Sequence, residues 1–477
     1  MGDSVPADGD SPDGSAADAS GHGGGPRVIE VKPKGDIILD VTFETSPETL
    51  RRSRKAALAA SRKAGSSAPP PPNLKPKVRA AYRVSLGALK KHSKYFDNLL
   101  SNSHFREAKL ITDAHDLLKA RGSSPAEADA SELPWIPIAD DDEATKAAGR
   151  EHTFEDMLRI IHQEPPKTTR ITMSYVTTLA ITADRFDCTT VVSRCLSTDL
   201  KFKWPVTNSR PMQDDTGRAT DVEQVLRQKI LVSWLLGQPM RLQQATRELI
   251  MRGSSHWSAF YNDDADTTAA WWTLPDGLEH ELQYRRECIL NTIASVQRHF
   301  LQLYTSRERQ CKLGYDSSAA CDSFQLGQLL RFLMSKNLLF LVDFSPVSLD
   351  TVPDTSMVEI DELLTTLRQC PSYQVDKHHT NCGPRIRVEP VLDYVRAMAS
   401  AGVVAIPLAD WKRRRADVSW VATQTPGDPG EEHKERAFVF TRSLANDQRL
   451  RYDGAIYADR MAKKLFTAES WDWTPEA

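Results

Sequence analysis

The chain has 477 residues, of which 26% are charged, and its formal net charge is −3. A chain so close to neutrality has no global field that would draw it to nucleic acid or to a membrane surface, and no apolar run approaches the roughly 18 residues that a membrane-spanning helix requires. Its seven cysteines are more typical of reduced thiols or a metal site than of a disulfide framework. The polar, acidic N-terminus lacks the apolar core of a signal peptide, so we expect an intracellular protein of the cytoplasm or nucleus.

Residues 1–33 are rich in Gly, Asp, Ser and Pro. Such a segment cannot bury enough apolar surface to offset the entropy that is lost on ordering. We therefore expect 1–33 to be disordered and the first domain to begin at residue 34.

Alternating apolar residues predict strands in this first domain. Every second residue is apolar in 37–43, and the same spacing recurs in 82–86. This alternation is typical of strands that bury one face. A third short strand is predicted at 135–138.

Two polar segments are expected to be solvated insertions in this domain. The first, 44–77, carries the basic residues of 51–63 and the prolines 69–72, whose fixed geometry forbids a helix in the proline run. A charge run of this kind is usually solvated, although it could also contact nucleic acid or serve as a nuclear address. The second insertion is 110–132.

Helical spacing follows the second and third strands. Ser93 is a candidate N-cap for a helix that carries Phe96, and Thr153 is a candidate N-cap for a helix that carries Phe154. More helices follow to about residue 200. The order of strand, strand, helix, strand and several helices predicts an α+β fold in which a small sheet packs on a helical cluster.

Several pieces of this region, taken in chain order, resemble a BTB/POZ domain, most closely the fungal members of that family. The pieces are Asp36-Ile37-Ile38, Tyr82, Leu89, Ser93-Lys94-Tyr95-Phe96, Phe105-Arg106-Glu107, Ile138-Ala139-Asp140 and Ala183-Asp184-Arg185-Phe186. The resemblance covers about 34–200 and places a BTB/POZ domain at 34–204.

The resemblance implies a protein-interaction module. BTB domains form homo- or hetero-oligomers, and many bind a cullin scaffold as substrate adaptors for ubiquitin ligases. The segment that cullin adaptors use corresponds to Phe105 and Glu107, which would act as an aromatic anchor and an acceptor at the rim. Alternatively, Phe105 packs in the core beneath the next strand. Ser85 and Leu86 stand where transcription-factor members of the family carry a histidine and a basic residue.

The second half is predicted to be mostly helical. Residues 205–218 are interpreted as a linker, 219–400 as an α-helical domain with a long amphipathic helix from Leu278, and 401–477 as a mixed tail. Pro390 is predicted at the first turn of a helix.

Cys311, Cys321, His379 and Cys382 form a candidate metal site in the helical domain. Three thiolates and an imidazole suit a structural zinc ion, and Cys321-Asp322 followed by Leu326-Gly327 resembles helical regions linked to fungal BTB domains. The alternative is a scatter of buried thiols and surface histidines. Cys370 and His378 are reserve ligands.

We expect no enzyme. No carboxylate lies at a spacing that would activate a zinc-bound water, and the chain has no G-x-S-x-G or Walker-type loop. The sequence therefore predicts a protein that binds other proteins, either itself, another BTB protein or a cullin. The alternative is a nuclear regulator that contacts nucleic acid through 51–63.

Overall fold

The computed structural model describes residues 27–64, 74–261, 269–313, 318–339, 354–424, 437–446 and 455–474. Residues 1–26 and the proline run 69–72 lie outside these ranges, so the expectations for them are not addressed. The described chain combines a small mixed sheet with many helices. No helix in these ranges is long and apolar enough to cross a membrane.

The N-terminal half is built on a four-stranded sheet of order β1-β3-β2-β4. The strands are β1 (Val28–Glu30), β2 (Ile37–Glu44), β3 (Lys77–Val84) and β4 (Trp135–Asp141). β2 pairs antiparallel with β3 and parallel with β4, while β1 runs parallel to β3. As the alternation predicts, successive residues of β2 point to opposite faces of the sheet. Leu39 lies in the main N-terminal core, and Ile38 lies in a smaller core on the other face.

The boundary of the predicted disordered terminus is wrong. Val28–Glu30 is an ordered edge strand paired with Ala81–Arg83, and Val31 behind it is buried. Three residues carry no periodic signal, and the strand exists because β3 offers an open edge that supplies its backbone hydrogen bonds.

The two segments predicted as solvated insertions contain helices. α1 (Pro47–Ala64) occupies the first, where proline at the first helical position and a run of Ala, Arg, Lys and Leu favour helix. α4 (Arg106–Ala120) occupies much of the second, and its Ile111 and Leu118 are buried seven residues apart. Leu118 covers Ile38 on the second face of the sheet.

The remaining helices of the N-terminal half are α2 (Leu86–His92), α3 (Lys94–Ser101), α5 (Arg150–Ile161), α6 (Met173–Arg185) and α7 (Thr189–Thr198). Ser93 is the N-cap of α3, as predicted: its Oγ accepts the Phe96 N–H at 3.0 Å and donates to the Phe186 carbonyl at 2.6 Å. Thr153 is not a cap. α5 begins three residues earlier, after Gly149, whose φ of 75° suits glycine.

The described part of the second half is mostly helical up to residue 424, and a short two-stranded sheet lies beyond. Its longer helices are α8 (Asp221–Leu235), α9 (Pro239–Arg252), α10 (Leu278–Thr305), α11 (Ser318–Ser335), α12 (Ile360–Arg368) and α13 (Arg385–Ala399). Shorter ones are α14 (Leu408–Arg413), α15 (Arg415–Val418), α16 (Arg442–Ala445) and α17 (Ala455–Phe466), with strands β5 (Ala437–Val439) and β6 (Ser470–Asp472). The long helix from Leu278 is confirmed. Pro390 lies inside α13 rather than in its first turn, because Pro384 already precedes the helix.

The predicted linker and tail are not separate from the cores. Within 205–218, Met212 is buried, and Thr207 is buried and donates to Glu248 at 2.9 Å. α8 contributes Leu226 to the large C-terminal core and Val232 to the N-terminal core. The 401–477 region adds apolar side chains to the large core, among them Trp411, Trp420, Phe438, Phe466 and Trp473.

Candidate metal centre and partner-binding turn

The four predicted ligands meet at one point. The Sγ atoms of Cys311, Cys321 and Cys382 and a ring nitrogen of His379 all lie within 4.8 Å of one another. All four residues are buried, with exposed fractions between 1% and 6%. The alternative of scattered thiols and surface histidines is therefore wrong.

Different elements deliver the two halves of this cluster. Cys311 follows the end of α10, and Cys321 lies in the first turns of α11. His379 and Cys382 lie in the loop between α12 and α13. The 57 residues between Cys321 and His379 are bridged because α10 packs against both α11 and α13.

The distances fit the tetrahedron that zinc prefers. With Zn–S bonds of about 2.3 Å, neighbouring sulfurs of a tetrahedral site are about 3.8 Å apart. Cys311 Sγ lies 3.8 Å from Cys382 Sγ and 3.3 Å from His379 Nδ1. These separations are far too long for a disulfide, and all seven cysteines are free.

The pKa values of two of the thiols, Cys311 and Cys321, are shifted in opposite directions. Burial would raise the pKa of Cys311, but hydrogen bonds led by that of the Leu313 amide lower it to about 7. Burial, together with the charges of Cys311 and Cys382, raises the pKa of Cys321 to about 12. Three sulfurs this close repel one another as thiolates, and a divalent cation at their centre would remove that repulsion.

Outer contacts hold the ligands in place. Asp376 accepts the backbone N–H groups of His378 and His379 at 2.8 and 3.1 Å, and its Oδ2 lies 3.8 Å from His379 Nε2. The imidazole thus presents Nδ1 to the sulfurs and Nε2 to a carboxylate, an arrangement common around protein-bound zinc. Tyr304 donates to the Cys382 carbonyl at 2.8 Å.

Two further contacts fix the residue before Cys311. Arg387 donates to both the Gln310 side chain and its carbonyl, at 2.5 and 3.1 Å. The Gln310 N–H donates to Asp322 at 2.8 Å. Gly383 completes the packing, because a Cβ there would lie 2.7 Å from Gln325 Oε1.

The reserve ligands stay outside the cluster. His378 is exposed, and Cys370 lines a narrow apolar pocket with Phe300, Phe332 and Leu392. The cluster therefore offers three cysteines and one histidine, which matches the number and type of ligands in a closed structural zinc site.

The predicted partner-binding residues lie at the start of α4. Phe105 is the N-cap residue and its side chain is 43% exposed, while Glu107 is half-buried in the first turn. Phe105 does not pack in the core beneath a following strand, because it is 43% exposed and the helix α4 follows it directly, so that alternative is wrong. Sequence reasoning missed this helix, although Leu110, Ile111, Leu117 and Leu118 carry its signal.

Comparison of the chain with models of protein families, with curated proteins and with solved structures gives no match.

Proposed function

We propose that this protein is a non-enzymatic interaction scaffold of the BTB/POZ type that docks a cullin-like helical partner through Phe105 and Glu107. The exposed Phe105 carries the proposal. Aromatic side chains are enriched among the residues that anchor protein interfaces.

The order of elements supports the BTB/POZ assignment. The β2–β3 hairpin, the α2–α3 pair, β4 and the helices α5 to α7 follow the order that the resemblance implies. Three aromatic residues of the resemblance pack together: the Phe96 ring stacks on Phe186 at 5.4 Å, and Tyr95 packs edge-on against Phe186 at 5.1 Å.

A binding experiment tests the docking proposal. The full chain is titrated with a purified cullin N-terminal domain, and Phe105→Ala is expected to weaken binding by 2 kcal/mol or more, or roughly 30-fold, as an anchor residue does. The matched control is Leu117→Ala, which removes a more exposed apolar side chain, 60% exposed, from the same helix. Absence of binding by the unmodified chain, or equal binding by Phe105→Ala, would exclude the cullin proposal.

We also propose that the Cys311, Cys321, His379 and Cys382 cluster holds one structural zinc ion. The burial and close approach of three sulfurs and one imidazole nitrogen support this assignment. Zinc would tie the end of α10 and the start of α11 to the α12–α13 loop.

Metal content of the purified full chain tests the zinc proposal. One zinc per chain is expected, and Cys382→Ser should reduce metal content and the free energy of unfolding together. Cys288→Ser is the control, because Cys288 is buried in α10 but lies outside the cluster. A metal-free chain whose stability does not change when zinc is added would refute the proposal.

A further inference from the structure

The first predicted insertion holds a basic helix that neither proposal uses. α1 carries Arg51, Arg52, Arg54, Lys55, Arg62 and Lys63 against the single acid Glu48. Its 18 residues make a rod about 27 Å long. Within 47–59 only Thr49 and Leu50 are buried, so the helix lies on the surface after its first turn.

α1 is fixed to the sheet at its N-terminal end. The Ser46 N–H and Oγ both donate to the carboxylate of Asp142, at 3.1 and 2.8 Å. Further along, the Arg54 guanidinium donates to the Leu74 carbonyl at 2.8 Å. This contact brings the exposed Lys75 close to the basic turns of α1. The basic residues of 51–55 are therefore displayed on an anchored helix rather than on a solvated loop.

The acids of the nearby strands are already paired. Asp40 accepts two hydrogen bonds from Arg79, and Glu44 lies 3.0 Å from Lys77. Arg51 and Lys55, by contrast, are exposed and have no acidic partner among the residues that the structure describes. Residues four apart lie on one face of a helix. α1 thus presents a local positive face, although the whole chain is slightly acidic.

We propose that this positive face of α1 binds the phosphate backbone of double-stranded nucleic acid. Arginine binds phosphate through two parallel N–H donors. Four residues beyond Lys55, the small and exposed Ala59 borders the same face, so that side of the helix can approach a groove closely.

The composition of α1 argues against a membrane surface as its partner. A helix that lies in a membrane interface needs an apolar face. Leu58, 51% exposed, is the only large apolar side chain on the exposed turns of 51–59.

The test is binding of the full chain to a fluorescent DNA duplex of about 20 base pairs, measured by anisotropy at several salt concentrations. The logarithm of the binding constant should fall steeply with the logarithm of salt concentration, by roughly 0.9 for each phosphate that is neutralised. Arg51→Gln/Lys55→Gln keeps good helix formers and the Arg54 anchor. It should weaken binding roughly tenfold and reduce the salt slope by about 2.

The matched control is Lys201→Gln/Lys203→Gln, which removes two exposed positive charges elsewhere on the chain. It should leave affinity and slope unchanged. No binding at low salt, equal losses in the two variants, or tighter binding to poly-glutamate or to phosphatidylserine vesicles than to the duplex would each overturn the proposal. None of these outcomes bears on cullin binding or zinc content.

Discussion

His162 is buried in the neutral state, and its surroundings fix its tautomer. Its Nε2 accepts the Ser85 N–H at 2.9 Å, so Nδ1 carries the proton and donates to the Leu158 carbonyl at 2.7 Å. Burial lowers the pKa of His162 below 6.5, despite the hydrogen bonds to Leu158 and Ser85. A second ring proton would point at the Ser85 N–H.

This arrangement predicts a pH dependence of stability. Below about pH 6.5 the unfolded chain takes up a proton on this residue before the folded chain does, so the free energy of unfolding should fall as the pH is lowered through this range. His162→Gln still accepts the Ser85 N–H but cannot titrate. Denaturant unfolding between pH 7.5 and about 5 should show a shallower loss in this variant. The exposed His104 gives the control, His104→Gln; identical pH profiles of His162→Gln and the unmodified chain would contradict the prediction.

At the scale of elements, the C-terminal strands and helix are part of the large core. Trp473 after β6 is fully buried, donates to Ser295 Oγ on α10 at 2.9 Å and lies 6.0 Å from the rings of Phe438 and Phe440. The C-terminal strands and helix therefore form part of the large core.

Removing the Trp473 side chain should destabilise the fold. Trp473→Ala leaves a large cavity and should lower the free energy of unfolding by about 3 to 5 kcal/mol. Ile456→Ala changes an 85% exposed residue of α17 and should cost less than about 0.5 kcal/mol. Urea unfolding measures both. A similar small cost for the two variants would show that the tail is separate from the core.

The missed helices show where local patterns are insufficient. α1 has strong helix formers but only Thr49 and Leu50 buried, so its apolar periodicity is weak. α4 buries Ile111 and Leu118 but exposes Leu117. Its apolar residues therefore do not all lie on one face, and the helical periodicity is harder to recognise in the sequence. By contrast, the spacing in α10 is regular over 28 residues, and the sequence predicts it.

At the scale of the whole molecule, α8 joins the two halves. Its Leu226 lies in the C-terminal core, and Val232 and the following Leu236 lie in the N-terminal core. α8 also packs against both α6 and α9. A helix shared by two cores couples their unfolding.

We therefore expect one cooperative unfolding transition for the two halves. Leu236→Ala should cost about 2 kcal/mol or more and should move the transitions of both halves together, as followed by calorimetry and near-UV circular dichroism. Met240→Ala, at a 65% exposed site, serves as the control. Two transitions of which only one responds to Leu236→Ala would mean that the halves unfold independently.

Residue type and short spacing are enough to predict the strand alternation of β2 and β3 and the N-cap at Ser93, and they single out Cys311, Cys321, His379 and Cys382 as candidate ligands. The approach of Cys311 and Cys321 to His379 and Cys382 depends on how α10, α11 and the α12–α13 loop pack, which no local pattern specifies. The same holds for the edge strand Val28–Glu30 and for α8, whose positions depend on hydrogen bonds and apolar surfaces offered by distant parts of the chain.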